Sequence, residues 1–378
     1  MRPLLSTIVA VLALMTVAAR AEILVGTAGP FSGPNAALGE QIRRGVQRAI
    51  DDINATGGLR GERLAMMALD DGCDPRKAID VATQFVSSGV KFVAGHYCSG
   101  ASIPASKIYE KAAVLQISPA SSYGKLTDEG GWNVLRICPR DDAQGTIAGG
   151  VMAKLFPSGR IALLNDQSPA SQALVAKARE TLANASITPA VDSSYKPGAK
   201  DYAELAQMLR DSNANAVYFA GSYVESGIIA RELRAMGSTA QFFGSDALLT
   251  DDFWKAAGDT AEGTLVTFMF DPQKFEAARA VIDRFKADDY APEGHTLYAY
   301  AAVQAWAQAA EATQSTDSHR IADWLKAGNR VRTATGEVRF DQKGDLQDPQ
   351  FAWFKWSGGR YTQTDPLAPS VPESPAVP

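Results

Sequence analysis

Short apolar runs alternate with amphipathic stretches along the first part of the chain. Strands are predicted at residues 23–26, 64–69, 91–94 and 114–117, and helices at residues 75–88 and 103–111. A further helix is expected to end near Asn54, before Gly57 and Gly58. Its apolar face carries Ile42, Val46, Ala49, Ile50 and Ile53.

The same alternation restarts near residue 160. Strands are predicted at residues 160–164, 188–192, 216–219 and 241–243, and helices at residues 172–183, 202–210 and 225–236. Strands that alternate with helices form parallel sheets through right-handed crossovers, so the fold class is α/β. Two similar series of elements predict two α/β lobes.

The remaining third of the chain is less regular. A strand at residues 264–268 is expected to return toward the first lobe, before two long helices at residues 274–287 and 297–312. Residues 337–340 and 351–356 are strand-like. The last stretch, residues 366–378, contains five prolines among Ser and Ala and is expected to be a disordered tail.

The first 21 residues have the parts of a secretory signal peptide. Arg2 precedes an apolar run at residues 4–17, and Ala19-Arg20-Ala21 ends the segment. Cleavage is expected after Ala21, which would place the mature protein in the periplasm. The alternative is a membrane anchor, but the apolar run is short for a membrane span.

The charge of the chain disfavours two classes of partner. The formal net charge is −5, and removal of Arg2 and Arg20 with the signal peptide makes it −7. Lysines and arginines form no clustered stripe, so nucleic acid and anionic membrane surfaces are poor partners.

The three cysteines allow one disulfide and one remaining thiol. Cys73 and Cys98 each follow a predicted strand and could meet at one edge of a sheet, so we favour a bridge between them. Cys138 ends an apolar run and is expected to be a buried free thiol. Cysteine pairs of the Cys-x-x-Cys type are absent from the sequence and histidine is scarce, so no metal site or cofactor is expected.

The sequence lacks the residue patterns of common enzyme classes. His96 lies three residues before Ser99, but on a loop this spacing does not aim one side chain at the other, and no orienting acid is evident. Asp70, Asp71 and Asp74 lack the other ligands of a calcium loop and are interpreted as a solvated strand end with a helix cap.

Loops after the predicted strands carry candidate ligand-binding groups. Residues 99–102 and 118–122 are rich in serine and precede helices, so their hydroxyls and backbone N–H groups could hold a carboxylate. Helix capping by serine is the alternative. Asp246 follows a strand of the second series and could pair with an ammonium group, as could the Tyr223 hydroxyl. An anion site on one lobe and a cation site on the other would suit a zwitterion.

Several local motifs together resemble the periplasmic leucine/isoleucine/valine-binding proteins, which are type I periplasmic binding proteins. The resemblance spans nearly the whole mature chain. It is carried by Gly33-Pro34, Asp52-Ile53-Asn54-Ala55, Gly57-Gly58, Asp70-Asp71-Gly72-Cys73-Asp74-Pro75, Gly95-His96-Tyr97-Cys98-Ser99, Ser118-Pro119-Ala120-Ser121-Ser122, Lys200-Asp201-Tyr202, Ala261-Glu262-Gly263 and the stretch from Phe340 to Leu346.

The resemblance implies a domain organisation. Two lobes would be joined by three crossovers, with the Cys73–Cys98 disulfide in the first. Lobe 1 is expected to comprise residues 22–140 and 270–350, and lobe 2 residues 141–269 and 351–365.

The resemblance also implies a ligand site. Ser99, the Ala120 backbone and the Ser122 hydroxyl, with Ser121 between them, would hold an α-carboxylate. Asp246 falls where the family has a glutamate that binds the α-ammonium group. The family's tyrosine on that side falls on Ser222, next to Tyr223.

The side-chain pocket departs from the family pattern. Leu38 and Ala170 replace tyrosines, Tyr97 replaces an aliphatic residue, and His295 stands where an aromatic residue is common. The pocket is therefore expected to be altered, and a polar, larger or aromatic acid could replace a branched-chain amino acid.

The function implied is that of a monomeric periplasmic solute-binding protein. Its lobes would close on an amino acid-like ligand, and the membrane permease subunits of an ABC importer would be its partner. The alternatives are the same fold binding a non-amino organic acid or an amide, and a ligand-sensing module for a membrane receptor. An enzyme is disfavoured because no catalytic set is found.

Overall fold

The computed structural model describes residues 22–199, 201–270, 272–347, 349 and 351–368. The predicted signal peptide and residues 369–378 of the predicted tail lie outside these residues. Over the described ranges, no helix has both the length and the apolar character needed to cross a membrane.

The first lobe is built on a five-stranded parallel sheet. Its strands are β1 (Ile23–Gly29), β2 (Leu64–Asp70), β3 (Phe92–Ala94), β4 (Leu115–Ser118) and β5 (Val134–Arg136). The strand order is β2-β1-β3-β4-β5. The middle strands are buried on both faces, which explains why they form continuous apolar runs in the sequence.

The second lobe contains a larger sheet. The remaining strands are β6 (Ile161–Asn165), β7 (Val191–Ser194), β8 (Ala216–Phe219), β9 (Gln241–Gly244), β10 (Leu265–Met269), β11 (Val331–Thr333), β12 (Gly336–Val338), β13 (Phe351–Ser357) and β14 (Arg360–Thr364). Seven of these form the sheet, in the order β14-β13-β10-β9-β8-β6-β7, while β11 and β12 make a separate hairpin. Strand β13 is antiparallel to β10 and β14, and the other pairs are parallel.

Helices cover both sheets. They are α1 (Ala36–Ala55), α2 (Pro75–Ser87), α3 (Ser99–Lys111), α4 (Lys125–Asp128), α5 (Asp141–Leu155), α6 (Pro169–Asn184), α7 (Ala203–Asp211), α8 (Tyr223–Ala235), α9 (Asp251–Ala257), α10 (Arg279–Ala287), α11 (Thr296–Thr313) and α12 (Ser318–Lys326). Helix α1 packs on α11 in the first lobe, and α5 packs on α6 in the second.

The chain passes between the lobes three times. The passages lie between β5 and α5, between β10 and α10, and between β12 and β13. Strand β10 is still part of the second sheet, so the chain returns to the first lobe only after it. The two lobes are therefore joined by three connections.

Local sequence signals explain where several helices begin. The Asp74 carboxylate accepts hydrogen bonds from the backbone N–H groups of Arg76 and Lys77, and Pro75 occupies the first helical position of α2. This confirms the predicted helix cap. Ser168 and Pro169 act in the same way at the start of α6.

Two predicted helix starts were wrong, and several helices, α5 among them, were not predicted. Helix α3 begins at Ser99 and not at residue 103, because Gly100 and an internal Pro104 hide the first turn in the sequence pattern. The predicted helix at residues 274–287 forms only from Arg279, after short 3₁₀ turns. Helix α5 was missed because it is rich in glycine, a poor helix former.

The glycines of α5 are required by close packing. A Cβ atom at Gly145 would lie 2.5 Å from the Leu174 carbonyl oxygen, and one at Gly149 would lie 2.8 Å from that of Ala178. Both carbonyls belong to α6. The two helices can therefore approach closely only because these positions lack side chains.

Candidate functional site

A cavity of about 810 Å³ lies between the two lobes, at the carboxyl ends of the strands. Its walls are largely apolar, with a few hydroxyl and carboxylate groups, as is typical of small-ligand sites. The loops that follow β3, β4, β6, β7, β8 and β9 all contribute to its surface.

Ser99, Ala120 and Ser122 line the cavity on the side of the first lobe. Ser99 is the first residue of α3, and its Oγ accepts a hydrogen bond from the Tyr123 N–H at 3.1 Å. Its own O–H therefore remains available to donate. The first residues of this 13-residue helix line the cavity, so its positive end lies at the cavity wall. The Cys98 side chain does not cap α3, which leaves backbone N–H groups of the first turn available to a ligand. These groups can together bind an anion.

Ser121 does not line the cavity, and its hydroxyl makes hydrogen bonds within the protein. Its Oγ lies 2.7 Å from the Ser102 Oγ and 2.9 Å from the Tyr97 carbonyl oxygen. The Ser118 Oγ accepts hydrogen bonds from the N–H groups of Ser121 and Ala120. Both serines hold the loop that presents Ala120 and Ser122.

A buried network beneath this loop involves His96. Its Nδ1 lies 2.6 Å from an Asp71 carboxylate oxygen and its Nε2 lies 2.8 Å from the Tyr109 hydroxyl. All three residues are fully buried. We expected a solvated Asp71 and no acid beside His96, and both expectations were wrong because Asp71 turns inward after β2. Both ring nitrogens are occupied, so His96 cannot activate Ser99.

The disulfide predicted from the sequence is present. Cys73 and Cys98 are bonded, with Cα atoms 5.4 Å apart, and both residues line the cavity. The bridge ties the loop after β2 to the start of α3. It therefore fixes the position of Ser99 relative to the neighbouring strand.

Asp246 lines the cavity on the side of the second lobe. It begins a short 3₁₀ turn, Asp246–Leu248, directly after β9. Its Oδ2 lies 3.5 Å from Nε2 of His295, which is 2% exposed. The cavity surface does not include His295, so this imidazole lies behind the carboxylate. The Nδ1 atom of His295 has no hydrogen-bond partner among the residues that the structure describes.

Tyr97 lines the cavity next to this pair of residues. Its ring packs edge-to-face on the His295 ring, with centroids 5.2 Å apart. Burial, followed by the charge of Asp246, raises the pKa of the Tyr97 hydroxyl well above its usual value. The hydroxyl therefore stays protonated and can act as a donor near Asp246.

Tyr223 does not line the cavity, in contrast to its expected role at the ammonium group. Its hydroxyl donates to the Pro34 carbonyl oxygen in the first lobe. The Asp251 N–H also reaches across, to an oxygen of Glu293 at 3.3 Å. These contacts hold the lobes against each other at the edge of the cavity.

Ser222 and Ala170 both line the cavity, on the second lobe. Sequence reasoning missed two carboxylates beside them, Asp166 and Glu225. Asp166 comes directly after β6, and this position at a strand end was the signal that could have identified it. Glu225 lies in the first turn of α8, where an acidic residue is usually assigned to the helix dipole.

Cys138 is free and 2% exposed, as expected. Burial raises the pKa of its thiol to about 12. The thiol is therefore protonated at neutral pH, which makes it a poor nucleophile.

Comparison with known proteins agrees with this architecture. The model of a family described as periplasmic binding protein matches residues 22–360. The chain belongs to this family. This match confirms the resemblance inferred from the sequence motifs. The members of the family are solute-binding proteins.

Individual relatives are similar over almost their whole length. The Leu/Ile/Val-binding protein homolog 1 of Brucella suis is 38% identical over 339 residues, which cover 90% of this chain and 91% of the relative. An amino acid binding protein of Pseudomonas aeruginosa is 36% identical over 349 residues, covering 91% and 93%. The crystal structure of a leucine-binding protein from Thermotoga maritima has a TM-score of 0.84 at 21% identity, covers 91% of this chain and 98% of its own, and supports the two-lobed fold.

Proposed function

We propose that this protein is the periplasmic solute-binding component of an ABC importer and captures an α-amino acid between its lobes. The observation that carries the proposal is that one cavity is lined by both Ser99 and Ser122, on the first lobe, and Asp246, on the second. The serine hydroxyls and the start of α3 suit a carboxylate. Asp246 suits an ammonium group.

Closure of the lobes gives this arrangement its affinity. A ligand enclosed between them leaves water, which strengthens its charge-assisted hydrogen bonds. The ligand can favour the closed form only by binding it more tightly than the open form. A ligand that bridges Ser99 and Asp246 meets this condition, because only the closed form presents both anchors.

The proposal is tested with pairs of ligands that differ only in the amino group. Protein stripped of ligand by unfolding and refolding is screened by thermal shift against L-amino acids and against the matching carboxylic acids without the amino group. Amino acids are expected to raise the melting temperature and the deaminated acids are not. A protein stabilised only by the deaminated acids would be a binder of plain organic acids.

Closure is expected to depend on pH through Glu293. Burial, together with the nearby Asp251 carboxylate, raises the pKa of Glu293 to about 7 in this structure, and we take the contact between Asp251 and Glu293 as a feature of the closed form. Opening would expose Glu293 and remove Asp251 and Asp252, returning the pKa toward its ordinary value of 4.5. The closed form thus takes up a proton near neutrality, so ligand affinity is expected to rise about tenfold from pH 8 to pH 6.

Isothermal titration of the ligand at these two pH values measures the effect. The titratable groups that face Glu293 are Asp251, Asp252, Lys255 and Tyr223. The variant Glu293→Gln keeps all of them, and it keeps other titrating groups such as Asp141. The variant is expected to lose the tenfold change, whereas Glu204→Gln, at an exposed position on α7, keeps it. An unchanged pH profile in Glu293→Gln would rule out this role for Glu293.

A further inference from the structure

Three carboxylates form a row along the wall that the second lobe contributes to the cavity. Asp246 follows β9, Glu225 lies just after β8 and Asp166 follows β6. Strands β9, β8 and β6 are neighbours in the sheet, and all three acids line the cavity. No lysine, arginine or histidine among the described residues lines it.

The side chains beside Asp166 and Glu225, the two acids away from Asp246, are small. Ala170 and Ser222 lie beside Asp166 and Glu225 at the cavity surface. Because neither side chain carries a ring, a ligand in the cavity can approach both carboxylates.

Within the described part of the chain, no cationic side chain neutralises Asp166 or Glu225. One oxygen of Glu225 accepts from the Gly198 N–H at 3.0 Å and the other from the Ser222 hydroxyl, while Asp166 accepts from the Ser168 N–H at 3.0 Å. Over the described ranges of the chain, neither acid forms an ion pair with a cationic side chain. Carboxylates in a partly dehydrated wall are costly unless a cation accompanies them.

A buried hydroxyl lies in the same region. Tyr195 is 4% exposed, and within the described ranges its hydroxyl makes no hydrogen bond of ordinary geometry. A Cβ atom at Gly221, which lines the cavity, would lie 2.0 Å from this oxygen and 2.8 Å from the Asp166 Cβ. The Ser226 hydroxyl is fully buried and is the hydrogen-bonding neighbour of the Tyr195 hydroxyl. The wall of the cavity next to Asp166 and Gly221 is therefore backed by polar hydroxyl groups.

The cation that fits this row is an extended organic one. Across the described chain, no three acidic, histidine or cysteine side chains are close enough to hold a metal ion. Asp246 and Asp166 follow strands that are two positions apart in the sheet, which separates them by about 10 Å. Two positive groups joined by a flexible chain would reach both ends.

We propose that the ligand is a basic amino acid whose α-ammonium group binds Asp246 and whose side-chain cation binds Asp166 and Glu225. This inference rests on the proposed function, since it uses the same carboxylate and ammonium anchors. It adds a subsite for the end of the side chain. A guanidinium group, with its fork of donors, matches the two carboxylates at the cavity surface.

L-Arginine and L-citrulline separate this proposal from a general amino-acid site, because citrulline has the same shape with a neutral end. Isothermal titration of the ligand-stripped protein is expected to show arginine binding at least about tenfold more tightly than citrulline. Asp166→Asn is expected to remove this advantage, because it lowers the affinity for arginine much more than the affinity for citrulline. Glu225→Gln is expected to reduce the advantage in the same direction.

Asp211→Asn, at an exposed position on α7 of the same lobe, is the control and keeps the preference for arginine. The melting temperature of each ligand-free variant shows that it is folded. If neutral amino acids bind and arginine binds no better than citrulline, the side-chain subsite is wrong and the proposed function stands. If no amino acid binds, both are wrong.

Discussion

Replacing Asp246 by asparagine is expected to abolish amino-acid binding while leaving the protein folded. The substitution keeps the shape of the side chain and removes the charge that faces the ligand ammonium group. Loss of one partner from an enclosed charge pair costs roughly 3 kcal/mol, which is at least about a hundredfold in the dissociation constant. Isothermal titration with the best amino acid from the thermal-shift screen measures the change.

Asp259→Asn is the matched control, because Asp259 is exposed, belongs to the same lobe and lies outside the cavity. Its affinity for the ligand is expected to fall no more than a few-fold. A deaminated acid would be repelled by Asp246 and is expected to bind Asp246→Asn better than the unmodified protein. Full amino-acid affinity in Asp246→Asn would remove the basis for an ammonium site on the second lobe.

Replacing Arg136 by methionine is expected to destabilise the protein by about 3–5 kcal/mol and to weaken ligand binding as well. Arg136 is fully buried, and its Nε lies 2.6 Å from Asp345, which is 6% exposed. Its guanidinium also donates to the carbonyl oxygens of Ser121 and Tyr123, at 2.9 Å each. Removal of the guanidinium leaves the buried Asp345 carboxylate with fewer positively charged partners. It also removes the hydrogen bonds that hold the loop carrying Ser122.

Urea unfolding of the ligand-free protein measures the stability of Arg136→Met. Adding Asp345→Asn to the same chain is expected to recover part of the loss, because it removes the stranded charge. Arg179→Met, which breaks the exposed pair with Asp192, is the control and is expected to cost at most about 1 kcal/mol. A loss in Arg136→Met no larger than in Arg179→Met would show that the buried pair contributes little.

Much of the fold could be predicted because local signals and tertiary structure agree. The strands that flank the cavity are short apolar runs, and Asp74 with Pro75 marks a helix start by itself. Helix α5 could not be predicted, since its glycines lower helix propensity and are needed only for contact with α6. The hairpin of β11 and β12 was likewise anticipated only as an isolated strand-like segment, because its pairing is set by the fold around it.

The site was predictable to the extent that strand ends define it. Ser99, Ala120, Ser122 and Asp246 line the cavity because each follows a strand at the same edge of its sheet. The direction of a side chain does not follow from such reasoning. Thus Ser121 and Tyr223 were expected at the ligand, but they make hydrogen bonds within the protein.

The inward turn of Asp71 toward His96 was equally hidden in the sequence. The sequence shows only that an acid follows the apolar run of β2. Whether it faces water or the interior depends on the imidazole and the Tyr109 hydroxyl, which arrive from distant parts of the chain. Buried polar networks of this kind become visible only in three dimensions.

A crystal structure of the protein with its tightest-binding amino acid tests the central claim most directly. We expect the ligand carboxylate within hydrogen-bonding distance of the Ser99 and Ser122 hydroxyls, with its ammonium group against Asp246. A ligand bound in the opposite orientation, or outside the cavity between the lobes, would contradict the account.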